Sequence, residues 1–183
     1  MMKKNITTIC GSTRQNSTNH KLLKAIGDLF TDDLQFNMYE GLASLPNFNP
    51  DSNEKTIAEV IQFKQLLNAA DGIIICTPEY AHGVPGALKN AIDWTVSSCE
   101  FSHKPTALIT ASTDGRYGHA ALLETLRVIE AKEIDQLQLL IPFAQTKVSK
   151  EAKISDERTL LEIQKLMSDL IKLLNETAVF PEN

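Results

Sequence analysis

Residues 72–94, GIIICTPEYAHGVPGALKNAIDW, decide the fold. The first six are apolar on both alternations, whereas a strand with one wet face alternates apolar and polar side chains. A strand buried on both faces needs a covering layer on each, and helices joined to parallel strands supply it. GIIICT therefore belongs in the middle of a parallel sheet. Two prolines and two glycines then stiffen a passage from strand to helix. Pro85 can stand in the first turn of that helix, where an amide hydrogen is not needed, and the helix should run to about residue 98.

Outward from this stretch the same alternation recurs. NITTIC (5–10) is the first strand, with Leu22, Leu23, Ile26, Leu29 and Phe30 following at helical spacing. LQFNMY (34–39) is a second, weaker strand. A connection rich in proline and asparagine leads to a helix over about residues 54–70 that turns Ile57, Val60, Ile61 and Leu67 inward. TALITAS (106–112) is the fourth strand, before a helix over about 117–131. LQLLIPF (137–143) is the fifth. Ser155 offers an N-cap to a last helix, in which Leu160, Ile163, Met167, Leu170 and Leu174 form a core stripe. Five strand–helix units with right-handed crossovers make an α/β doubly wound sheet with helices on both faces. Ligands of such sheets bind beyond the carboxyl ends of the strands, so the loops after strands one, three and four are where a site is expected.

With 43% hydrophobic and 22% charged residues the chain is of ordinary globular composition, which argues against disorder, and residues 1–183 are expected to form one domain. A net charge of −5, with both signs interspersed, argues against a nucleic-acid surface. No run approaches the roughly 18 apolar residues of a membrane span, and the apolar run near the N-terminus is too short for an export signal. Cys10, Cys76 and Cys99 show no paired spacing, which fits free thiols in a reducing cytoplasm.

The first loop, GSTRQNSTN (11–19), lacks the glycines of a dinucleotide fingerprint and the lysine of a P-loop. It offers Ser12, Thr13, Ser17, Thr18 and Asn19 as donors where a helix begins, and Arg14 can add a charge-assisted contact, a set suited to a terminal monophosphate. The alternative is that Ser17 or Thr18 only caps the helix. The second loop holds Pro78, Glu79, Tyr80, Ala81, His82 and Gly83 in a stiff path suited to the edge of a flat heteroaromatic ring, or is merely a well-made turn. The third, STDGRYG (112–118), puts hydroxyl and glycine at a strand's end, though Asp114 and Arg116 can equally be a surface pair. Cys10 and Cys76 are expected to be buried packing, His20 and His103 surface residues. Lys89 and Asp93, in the weaker order for a helical pair, point to contacts elsewhere.

Taken together, GSTRQNSTN and, some sixty residues on, PEYAHGVPGALKNAIDW resemble the NAD(P)H-dependent FMN reductase family of flavodoxin-like proteins, which includes quinone, chromate and azo-dye reductases. The resemblance covers nearly the whole chain. It implies a five-stranded parallel sheet in the order 2-1-3-4-5, noncovalent FMN, NADPH or NADH as hydride donor, a small-molecule electron acceptor, and a homodimer or homotetramer. It assigns Ser12, Arg14, Ser17, Thr18 and Asn19 to the phosphate, Pro78 to Gly83 to one edge of the flavin ring, and Ser112, Asp114 and Gly115 to the other. Thr113-Asp114 departs from a second glycine common in relatives, and His82 stands where asparagine is common. Chemistry centred on the flavin needs no catalytic triad. The rival reading is a flavodoxin-type electron carrier that does not oxidise NAD(P)H.

Overall fold

The computed structural model describes residues 3–177. Five parallel strands, β1 (Lys4–Cys10), β2 (Leu34–Tyr39), β3 (Gly72–Thr77), β4 (Thr106–Ala111) and β5 (Gln138–Ile141), form one sheet in the order β2-β1-β3-β4-β5. Between and after them run α1 (Thr18–Leu29), α2 (Ala58–Asn68), α3 (Gly86–Asp93), α4 (Arg116–Val128) and α5 (Glu157–Thr177). The flavodoxin-like order 2-1-3-4-5 expected from the sequence is the order found.

All six residues of β3 are buried, because its alternate side chains enter two different cores. Ile74 and Cys76 join Leu22, Ile26, Ile163 and Leu170, from α1 and α5, on one face. Ile73 and Ile75 join Val60, Phe63, Leu88 and Leu122, from α2, α3 and α4, on the other. Each such aliphatic side chain contributes about 1.5–3 kcal/mol of transfer free energy, so a polar residue on either face of β3 would be costly.

Several local expectations shift. The second helix begins at Ala58, after a short 3-10 turn over Glu54–Thr56. Pro85 is the residue before α3 rather than within it, and α3 ends at Asp93 instead of near residue 98. Lys89 and Asp93 bond each other at 2.5 Å rather than reaching elsewhere. Trp94, by contrast, packs as an aromatic residue is expected to: it is core, 1% exposed, with its indole N–H donating to Pro46 O. At α5 the cap is Asp156, one residue beyond Ser155: its Oδ1 accepts from the amide of Thr159 at 2.9 Å and from the Thr159 hydroxyl at 2.5 Å. Among the described residues no helix is long and apolar enough to cross a membrane.

Candidate functional site

The loops leaving β1, β3 and β4 converge on a cleft of about 320 Å3, within the size range of small-molecule sites. From the first loop it takes Ser12, Arg14, Asn16, Ser17, Thr18 and Asn19. Pro78, Glu79 and Tyr80 come from the second, and Ala111, Ser112 and Thr113 from the third. Ala144 and Gln145, in the turn after β5, close a fourth side. That fourth wall was not anticipated from the sequence. Its cue would have been Pro142, which ends the strand and redirects the chain.

The one glycine of the first loop serves sheet packing. Gly11 donates its amide to Cys76 O at 2.8 Å, and a Cβ there would lie 2.2 Å from Thr77 Oγ1 and 2.6 Å from Thr77 Cβ. Beyond it Ser17 does cap α1: its backbone is extended and its Oγ accepts from His20 N at 3.1 Å. Accepting that bond leaves the hydroxyl hydrogen to donate. The first-turn amides of Thr18 and Asn19 have no helical acceptor, as at any helix start, and the dipole adds partial positive charge. Asn19's side chain is otherwise engaged: its Nδ2 donates to Ala111 O at 3.1 Å and its Oδ1 accepts from the Cys76 thiol at 3.2 Å. It knits α1 to β3 and β4, with the second Nδ2 hydrogen and the backbone amide taking no part in these two bonds. Burial pushes the thiols of Cys10 and Cys76 up, so neither supplies a thiolate.

The second loop is a two-residue hairpin. Tyr80 N donates to Gly83 O at 3.1 Å and Gly83 N to Tyr80 O at 2.9 Å, with Ala81 and His82 between them at φ 48° and 58°. Such turns favour Asn-Gly, and a left-handed L-residue costs about 1 kcal/mol or more, so neighbours must hold the conformation. They do so from the third loop and the first turn of α4. The His82 ring lies 4.4 Å from that of Tyr117. Glu79 N donates to Ser112 Oγ at 3.2 Å, and a Glu79 carboxylate oxygen accepts from Gly118 N at 2.6 Å. Glycine at 118 permits this docking, since a Cβ would come within 3.0 Å of Gly83 O.

In the third loop Gly115 turns the chain into α4 at φ 93°. Asp114 pairs with Arg116 through two bonds of 2.8 and 2.9 Å at the surface, and the guanidinium holds its carboxyl below the usual range. Thr113, rather than Asp114, lines the cleft. His119 binds Thr110 Oγ1 and Gln138 Oε1, each at 2.8 Å, which occupies both ring nitrogens and ties α4 to the sheet. The turn after β5 docks on this loop, with Phe143 N donating to Thr113 O and Ala144 N to Ser112 O.

The cleft thus gathers nine of the expected residues and leaves Ala81, His82, Gly83, Asp114 and Gly115 off its lining. Its chemistry is asymmetric. The β1–α1 end carries hydroxyls, first-turn amides and Arg14, while Glu79, the one acidic side chain on the lining, is engaged with Gly118. That end suits an anion of high charge density. The loops after β3 and β5 add Pro78, Tyr80 and Ala144, an apolar contribution suited to a flat body.

The sequence profile described as NADPH-dependent FMN reductase matches residues 4–146. The chain is 36% identical over 118 residues to an NADPH azoreductase of Bacillus sp. (strain OY1-2), an alignment covering 64% of each chain. It is 30% identical over 169 residues to a 2-hydroxy-1,4-benzoquinone reductase of Burkholderia sp., covering 88% of this chain and 91% of that one. In fold it is similar to a flavoenzyme NAD(P)H:(acceptor) oxidoreductase from Paracoccus denitrificans, with a TM-score of 0.78, 24% identity, and coverage of 94% of this chain and 98% of the other.

Proposed function

The chain belongs to the NADPH-dependent FMN reductase family, and from that premise we propose that it is an NAD(P)H-dependent reductase that holds FMN noncovalently in the cleft and reduces a small oxidant of the quinone or azo class. The observation that carries this reading is the cleft's make-up: hydroxyls, first-turn amides and Arg14 from the β1–α1 loop, joined by Pro78, Tyr80 and Ala144 from the loops after β3 and β5. The donor set fits one terminal phosphate. It does not resemble a pyrophosphate cradle, whose glycines bring the backbone close, because the only glycine here packs on Thr77.

FMN, when bound, supplies a ring able to take hydride from a nicotinamide and pass two electrons to an acceptor. The chain's own residues do the positioning. Ser12, Ser17 and Thr18 would hold the phosphate by hydrogen bonds and Arg14 would offset its charge, with the amides of Thr18 and Asn19 aligned along the α1 dipole. Pro78, Glu79 and Tyr80 would border the ring on one side, and Ser112 and Thr113 on the other, while the Ala81–Gly83 tip and Gly115 shape these loops. Pre-formed amides beside the ring would favour the negative charge that it gains on reduction. Exposed Tyr80, Tyr117 and Phe143, on these loops and on α4, support assembly as a homodimer or homotetramer. Three unpaired cysteines support a cytoplasmic setting.

The test is to add FMN, record the visible spectrum of the protein, and follow NADH and NADPH oxidation with a quinone, free flavin and an azo dye. A shifted flavin spectrum with turnover of at least one nucleotide is expected. A colourless protein after soaking in excess FMN would remove the proposal, and a flavin-loaded protein that oxidises neither nucleotide would make it an electron carrier instead.

A further inference from the structure

The turn after β5 takes a path that its own residues disfavour. Phe143 sits at φ 53°, a left-handed conformation that a bulky L-residue avoids. Its side chain is 65% exposed, so burial of the ring does not compensate for the strain. Hydrogen bonds hold the turn instead. Phe143 N donates to Thr113 O at 3.1 Å and Ala144 N to Ser112 O at 3.0 Å, while the amide and hydroxyl of Thr146 donate to Phe143 O at 3.0 and 2.9 Å. Ala144 is also buried in the core that holds Leu22 and Ile26 of α1. The strained turn is thus fixed both to the third loop and to the face of the sheet that α1 covers, and it sets Gln145 on the wall of the cleft. Backbone strain kept by its surroundings is a mark of functional sites.

Gln145 is exposed, and among the described residues its side-chain amide has no hydrogen-bond partner. Gln136 and Gln138, slightly earlier in the chain, engage theirs, the first with Glu133 and the second with Asp135 O and His119. A glutamine amide donates through Nε2 and accepts through Oε1. A phosphate dianion only accepts, and the β1–α1 loop already offers it hydroxyls, amides and a guanidinium. A ribityl chain is different, because each of its hydroxyls both donates and accepts.

On the flavin reading above, the first loop serves the phosphate and the second and third serve the ring. A flavin so placed runs its linker past a wall that is fixed to the third loop and to the α1 face. Resting on that reading, we infer that Gln145 is the binding residue for the cofactor's polyol linker. Its amide exchanges hydrogen bonds with ribityl hydroxyls and so selects a hydroxylated chain between phosphate and ring.

The test compares wild type and Gln145→Leu in fluorescence titrations with FMN, riboflavin and a phosphopentyl flavin, which keeps ring and phosphate on a plain pentyl chain. Gln145→Leu should weaken FMN and riboflavin alike, about tenfold, and leave the phosphopentyl flavin within about twofold of the wild type. Wild type should therefore favour FMN over the phosphopentyl flavin by about tenfold more than the variant does. Because the side chain is exposed and unpaired, Tm without flavin should stay within about 2 °C of the wild type, which checks that the variant folds. Equal FMN affinity in the two proteins, or equal losses for FMN and the phosphopentyl flavin, would overturn the assignment. A loss for FMN that spares riboflavin would overturn it too, by moving Gln145 to the phosphate. Wild-type protein that takes up no flavin would instead remove the cofactor reading itself, a result distinct from all of these.

Discussion

A carboxylate oxygen of Glu79 accepts the backbone amide of Gly118 at 2.6 Å, so a residue from the loop after β3 closes the first turn of the helix after β4. The same residue's amide donates to Ser112 Oγ. One residue, through its backbone amide and its carboxylate, therefore ties the second loop to the third and to the start of α4, beside the left-handed Ala81 and His82. Replacing Glu79 with alanine leaves the Gly118 amide without its acceptor and loosens the hairpin. FMN affinity should fall about tenfold, as for loss of a hydrogen bond to a charged group. Glu79→Gln keeps an oxygen acceptor and should lose less. Fluorescence titration with FMN is the measurement, and wild-type affinity in the alanine variant would show that the loops hold their shape unaided.

Gly11 yields a contrasting prediction, because its role is packing and not ligand contact. A methyl group at this position overlaps Thr77 Oγ1 and Cβ, and forcing such an overlap costs about 1–3 kcal/mol. Gly11→Ala should lower Tm by several degrees, at about 2–4 °C per kcal/mol for a chain of this size. Any protein that remains folded should bind FMN with little change. The reverse pattern, an unaltered Tm with lost FMN binding, would mean that the glycine serves the phosphate after all.

The architecture was legible because GIIICT can only be buried on both faces and because helical stripes such as Leu160 to Leu174 repeat at one spacing. Side-chain partners were less so. Asn19 looks like one more donor in a polar loop, yet its partners Cys76 and Ala111 lie far along the chain and nothing local announces them. His20 reads as a surface residue, and in the structure it is half-buried, with its Nδ1 out of reach of solvent. Ser155 and Asp156 are both good caps, and which of them turns toward Thr159 depends on the path of the incoming chain. The wall at Ala144 and Gln145 was hidden inside a stretch resembling the end of a strand.

Arg14 is exposed, with no ion pair among the described residues, and it lines the β1–α1 end of the cleft. A guanidinium left at the mouth of an anion site adds affinity chiefly for the charged part of the ligand. Arg14→Ala should weaken FMN about tenfold while leaving riboflavin, which has no phosphate, within about twofold of the wild type. The gap between FMN and riboflavin should also shrink as salt rises, since exposed charge pairs are screened. Parallel titrations with both flavins decide this, and equal losses for the two would take Arg14 away from the phosphate.

Asp156 sets the acid side of α5. Its carboxylate accepts from the hydroxyl and the amide of Thr159, and these bonds, with the hydroxyl contributing most, hold its carboxyl below the usual range. A depressed carboxyl in the folded state favours folding above its unfolded value of about 3.8, and that contribution is lost as pH falls through the folded value. Asp156→Ala should therefore lower Tm by a similar amount at pH 7 and pH 5.5. The gap to the wild type should narrow as pH falls below about 3.8, because the unfolded carboxyl takes up its proton before the folded one does. Ser155→Ala, which removes an exposed hydroxyl that takes no part in the cap, should match the wild type throughout. Thermal melts of the three proteins at the three pH values test this, and a gap that stays constant down to pH 3 would show that the carboxylate's charge is not what caps the helix.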